Sequence, residues 1–141
     1  MTYQDSAFGW INDYVGVPFA PNGRTRAGWD CWGLVAAVYR EQRGVALPDW
    51  STDPPATLAD QVRALAAGLA DAVDGEKAKQ LERPEPWALA LVPRQRQPFH
   101  AGVVLGAGVL HAGDRTAGTV YDSLTRFRLM YPGATWWQWL G

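Results

Sequence analysis

Three side chains carry most of the chemistry open to this sequence: one cysteine, Cys31, and two histidines, His100 and His111. A single Cys excludes an intrachain disulfide. One Cys and two His also fall short of a structural zinc site with four Cys/His ligands. A thiolate, an imidazole that takes its proton and a third group that orients that imidazole form the general activated-nucleophile arrangement of acyl transfer. Each residue has a plainer alternative. A free Cys is among the most buried residue types and packs as a small hydrophobe. A lone His is commonly a satisfied structural residue, and the three side chains together have the ligand types of a metal site.

The element that positions Cys31 is a helix. Asp30 is a good N-cap, and Cys31, Leu34, Val35, Val38 and Tyr39 recur at three-to-four-residue spacing up to Gly44, which predicts a helix over 31–43. Cys31 then occupies the first helical position. Unpartnered N–H groups and the positive end of the dipole there should favour a thiolate, lower its pKa and serve an oxyanion on an attacked carbonyl. The histidines are positioned by a hairpin. With Gly106-Ala107 as a two-residue type II′ turn, Leu105 faces Gly108, Gly102 faces His111 and His100 faces Gly113. Both histidines then point to one face as diagonal neighbours, with Gly102 leaving space between them. The other face carries Ala101, Val103, Leu105 and Leu110, which suits a core. A one-residue slip would send the two rings to opposite faces.

Around these elements the chain divides into a helical first half and a strand-rich second half. A short helix is expected near Ser6 to Val15, then an irregular loop from Gly16 to Gly28, and a second helix after Thr57 with the apolar stripe Leu58, Val62, Leu65, Leu69 and Val73. Short runs follow at Trp87–Val92, Phe99–Leu105, Val109–Ala112, Thr119–Asp122, Phe127–Met130 and Thr135–Leu140, the pattern of an antiparallel sheet. The segregation points to an α+β fold, with N-terminal helices packed on an antiparallel sheet or partly closed barrel. At 141 residues, 48% hydrophobic and with eight Trp, the chain is expected to be one domain, 1–141, burying roughly 68–70% of its unfolded surface. Thirteen Lys+Arg against fourteen Asp+Glu argue against a nucleic-acid partner. No run reaches the roughly eighteen consecutive apolar residues of a membrane span, and the N-terminus has no signal-peptide pattern, so no membrane insertion and no ordinary export are expected.

The segments Val15-Gly16-Val17-Pro18-Phe19, Gly23, Gly28-Trp29-Asp30-Cys31-Trp32-Gly33-Leu34-Val35, His100-Ala101-Gly102-Val103-Val104-Leu105-Gly106 and Leu110-His111-Ala112 together resemble the NlpC/P60 family of papain-like cysteine peptidases. The resemblance spans nearly the whole chain. It implies a papain-like fold, hydrolysis of peptidoglycan stem peptides next to D-γ-glutamyl and diaminopimelate residues, and no cofactor or metal. It implies Cys31 as nucleophile, His100 as base and His111 as the residue orienting it. Trp32, Tyr39-Arg40-Glu41 and Gly44-Val45-Ala46-Leu47-Pro48 are similar to the phage and prophage branch, whose domains travel with tail-tip or gene-transfer-agent genes. That branch implies tail-tip or hub proteins as partners, assembly in a host cytoplasm and action at the cell wall from the virion tail. A structural tail subunit that keeps the fold without hydrolysis, and an amidase or acyltransferase on another amide, are the alternatives.

Three departures from the family pattern bear on the site. Phe19 replaces the Tyr found in many cell-wall members and has no hydroxyl to offer substrate. Pro86-Trp87 replaces a Gly-Asp pair, and the two histidines are eleven apart where twelve is common. Phe19, Arg26, Trp29 and Trp32 are the substrate-binding candidates. Arg24 and Arg26 stand in the loop before the nucleophile and could meet substrate carboxylates, with solvated loop charges as the alternative. Arg94 and Arg96 are expected at a hairpin tip. At least two of Trp136, Trp137 and Trp139 are expected in the core or an interface.

Overall fold

The structure is a computed structural model that describes residues 8–50, 57–94, 97–113 and 118–141. The N-terminal segment enters as a 3-10 helix over Gly9–Asp13, shorter than the expected Ser6 to Val15; Ser6 and Ala7 lie outside the described residues. The presumed irregular loop contains a two-stranded hairpin, β1 (Arg24–Thr25) with β2 (Gly28–Trp29), and Phe19 bridges to Trp29 beside it. Helix α1 (Cys31–Val38) continues as a π-helical turn over Tyr39–Arg43 and stops at Gly44, whose φ of 64° is the left-handed cap that favours glycine. Helix α2 (Leu58–Asp74) opens with a capping box in which Thr57 and Asp60 satisfy each other's backbone N–H.

Strands β3 (Ala78–Leu81), β4 (Leu89–Arg94), β5 (Gln97–Leu105), β6 (Gly108–Gly113), β7 (Gly118–Ser123) and β8 (Thr135–Trp139) form one antiparallel sheet in the order β3-β8-β4-β5-β6-β7. Helices before strands, packed on an antiparallel sheet, make this α+β. The polar edge strand β3, Ala-Lys-Gln-Leu, carries no apolar alternation and is invisible in the sequence; it exists because β8 offers it a partner. The expected hairpin β4–β5 is present, while the side chains of Arg94 and Arg96 lie outside the described residues.

The strand expected at Phe127–Met130 is instead part of helix α3 (Leu124–Met130). Ser123 caps it by accepting from the Arg126 N–H, and Phe127 and Tyr131 are both buried at helical i, i+4 spacing while Leu129 stands 79% exposed. An apolar run this short does not separate helix from strand by its period.

The sheet is covered on both faces. On one, Ala101, Val103, Leu105, Leu110 and Ala112 pack with Leu34, Val35 and Val38 of α1 and Leu65 of α2. On the other, Ala90, Val92, Val104 and Val109 pack with Phe127, Tyr131 and Trp136. Trp137 and Trp139 are half-buried against the first core, so all three C-terminal tryptophans are in use. Among the described residues no helix is long and apolar enough to cross a membrane.

Candidate active site

Asp30 is the N-cap the sequence predicts. Its backbone is extended, and its Oδ1 accepts from the Gly33 N–H at 2.7 Å and from Arg24 Nη1 at 2.7 Å. Arg24 in turn holds Asp49 at 2.7 Å, which ties the segment after α1 to the start of the helix. Gly33 lets the preceding loop close down here, because a Cβ at that position would lie 2.3 Å from the Gly23 carbonyl oxygen.

Cys31 follows the cap and is half-buried. The backbone N–H groups of Trp32 and Ala101 both act on its sulfur in favour of the thiolate, which sets the thiol between the start of α1 and the residue that follows His100. The lowered thiol pKa expected from the helix terminus is not what the fold produces. Burial pushes the thiol up to about 12, and the Asp30 carboxylate adds to that shift; the two N–H donors and Arg24 pull against it and lose. The resting side chain is a neutral thiol that needs a base.

The histidine hairpin has the predicted register: Gly102 pairs with His111 and Leu105 with Gly108. Gly106 has a φ of 60° and Ala107 has no positive φ, as a type II′ turn requires. The two rings meet, with His100 Nε2 2.9 Å from His111 Nδ1. A feature outside the sequence reading helps to aim the first of them. The pairing of β4 with β5 shifts between Val92↔His100 and Pro93↔Pro98, so Phe99 is an extra residue in a bulge directly before His100, a device that re-aims a side chain.

Beyond His111 the line continues to a residue the sequence reading missed. Asp122 Oδ2 lies 2.8 Å from His111 Nε2, and Asp122 Oδ1 lies 3.1 Å from Arg126 Nε. The signal was available: pairing β6 with β7 across a four-residue loop from Gly113↔Gly118 sets Asp122 opposite Val109, on the histidine face. His111 is fully buried, and burial lowers its pKa against the opposing pull of Asp122, which favours a neutral ring. Phe127 lies edge-on to His111 at 4.9 Å between centroids and Tyr131 lies 5.0 Å from His100, so α3 walls the pair.

The proposed substrate contacts fare differently. Phe19 is half-buried and bridges to Trp29 of β2, two residues before Cys31. Trp29 and Trp32 do not wall a groove: they are 1% and 3% exposed and belong to the core. Trp29 donates to Thr119 Oγ1 at 2.8 Å, and Trp32 donates to the Pro48 carbonyl at 2.7 Å while stacking on Trp50. Arg26 does not reach the site either. It pairs with Glu41, near the far end of the helix that Cys31 starts, at 2.7 Å and lies over the Tyr14 and Trp29 rings. Among the described residues no group of three or more His, Cys, Asp or Glu side chains is placed to hold a metal ion.

A half-buried thiol at a helix start, a buried imidazole pair whose first ring precedes Ala101 in β5 and a carboxylate behind that pair have the residue types that thiol acyl transfer uses. The comparisons agree with that architecture. The NlpC/P60 family model matches residues 16–128, a span that contains Cys31, both histidines and Asp122. No curated protein matches the chain. A solved structure, the crystal structure of the NlpC/p60 domain of peptidoglycan hydrolase SagA, superposes with a TM-score of 0.55 at 19% identity, covering 84% of this chain and 87% of that one. The family match and the shared fold together make this chain a member of the NlpC/P60 family.

Proposed function

We propose that the protein is a cysteine endopeptidase that hydrolyses amide bonds in bacterial peptidoglycan stem peptides. The observation that carries this reading is the line from His100 through His111 to Asp122, at 2.9 and 2.8 Å, which starts beside Ala101, the residue whose N–H acts on the Cys31 sulfur. In the reaction His100 takes the thiol proton as the sulfur attacks the amide carbonyl carbon. The start of α1 supplies N–H groups and dipole for the oxyanion. His100 returns the proton to the leaving amine, and water then hydrolyses the thioester, regenerating the thiol and releasing a carboxylate.

Purified protein is expected to cut soluble muropeptides into fragments that mass spectrometry assigns to one amide bond. Cys31→Ala is expected to leave them intact, and cleavage by that variant at the wild-type rate rejects the mechanism. A second reading, a tail subunit that keeps the fold without hydrolysis, is favoured by the neutral resting thiol. The same digestion decides between them.

The wider setting we propose is a phage-type tail tip, where the domain would meet the wall from outside alongside hub proteins. Trp32, Tyr39-Arg40-Glu41 and the exit through Pro48 support it by their similarity to that branch. Mass spectrometry of purified particles should detect the chain; its confinement to the cell fraction would reject this setting.

A further inference from the structure

Asp122 is the penultimate residue of β7, and the last, Ser123, caps α3, so its carboxylate is fixed by both elements. An ionised carboxylate can only accept hydrogen bonds. The proton of the 2.8 Å contact between Asp122 Oδ2 and His111 Nε2 therefore sits on the histidine. A neutral imidazole has one N–H, so Nδ1 of His111 is an acceptor. It lies 2.9 Å from His100 Nε2, which must then be the protonated nitrogen of His100. Each bond fixes the next.

We propose that Asp122 is a positioning residue that sets the tautomers of both histidines and so leaves Nδ1 of His100 as the nitrogen that accepts the Cys31 proton. The proposal rests on the cysteine-peptidase reading for its catalytic consequence. In the step, the S–H bond breaks, the electron pair stays on sulfur and the proton moves to His100 Nδ1. The resulting imidazolium is stabilised through His111 by the Asp122 charge, with no further reactant. Among the described residues, the charged and titratable groups around the pair are Asp122 on β7, Arg126 on α3, Tyr131 at the C-cap of that helix, and Cys31 at the start of α1.

Two counts make the test clean: the chain has only two His and one Cys. Long-range imidazole 15N correlation spectra of the neutral wild-type protein are expected to show both protons on Nε2. A proton on His100 Nδ1 overturns the proposal without any variant. Asp122→Asn can donate an amide N–H to His111 Nε2, which reverses the chain of bonds and places both protons on Nδ1. Alkylation by iodoacetamide, which reports on Cys31 alone, is then expected to slow at neutral pH by about 10-fold or more, its pH profile moving to that of the unassisted thiol. Muropeptide kcat should fall about 10- to 100-fold with KM unchanged, and Asp122→Glu should restore the Nε2 tautomers and part of the rate. A merely structural Asp122 would lower stability and leave the tautomers as they were. Unchanged tautomers in Asp122→Asn, or alkylation within about twofold of wild type, reject the positioning role. If no form of the protein cuts muropeptides while tautomers and alkylation respond as expected, the peptidase reading fails and the positioning role stands.

Discussion

Cys31 is caught between two influences of similar origin and opposite sign. The helix start and the Ala101 N–H favour the thiolate, while burial and the Asp30 carboxylate that caps the same helix favour the thiol. Burial wins because stripping water from the thiolate is the largest influence, and the carboxylate of Asp30, itself buried, adds to it. An acid whose pKa is higher folded than unfolded stabilises the fold fully below its unfolded value, and that contribution is lost as pH rises towards the folded value, because the unfolded chain ionises first. For Cys31 the window runs from its ordinary 9.0 up to about 12, and the buried hydroxyl of Tyr39, also raised to about 12, acts in the same sense above its ordinary 10.0. The urea midpoint should therefore fall between about pH 8 and about pH 11 and fall less steeply in Cys31→Ala. Equal slopes would show that the thiol ionises as readily in the fold as in the open chain. His111, with a lowered pKa, has the opposite window: its contribution is present above its ordinary 6.5 and lost as pH falls.

At the scale of elements, the hairpin β5–β6 does the aligning and Gly102 makes it possible. A Cβ there would lie 2.8 Å from Val109 Cγ1 and 3.0 Å from His111 Cβ, so a single methyl group must displace the strand that carries His111. Gly102→Ala is expected to keep the fold at a cost of about 1–3 kcal/mol and to slow Cys31 alkylation about 10-fold by separating the two rings; melting and alkylation measured together check it. The register of this hairpin was legible because a two-residue turn and a period of two leave little freedom. The bulge at Phe99 was not, since it depends on how β4 pairs across the sheet. Helix α3 was missed for a related reason: seven residues carry too few periods to distinguish helix from strand, and the decision falls to Phe127 and Tyr131 finding the histidine face.

At the scale of the molecule, the sheet is a wall with a helix on either side, and the site depends on both. The α1 side brings the thiol to Ala101, midway along β5; the α3 side covers the histidines with Phe127 and Tyr131. Phe127 is fully buried, within ring contact of both histidines. Phe127→Ala should cost about 3–5 kcal/mol, read as a lower denaturant midpoint, and should also broaden the histidine ring resonances as their wall is lost. A midpoint unchanged from wild type would mean that α3 is not part of the cooperative core. Trp29 and Trp32, substrate-binding candidates by sequence, belong to the core on the α1 side, with Trp29 reaching Thr119 far along the chain.

Local sequence alone settles that Cys31 starts a helix and that the two histidines face the same way. Asp30 before an amphipathic run starts the helix at Cys31, and Gly106-Ala107 between two apolar strands sets the register, both within a dozen residues of chain. The family membership followed from the same local motifs. Long-range packing decided the protonation of the thiol, the loss of Arg26 to Glu41 and the burial of Trp29 and Trp32. Those properties depend on desolvation and on partners from distant segments, and local propensity and spacing carry neither.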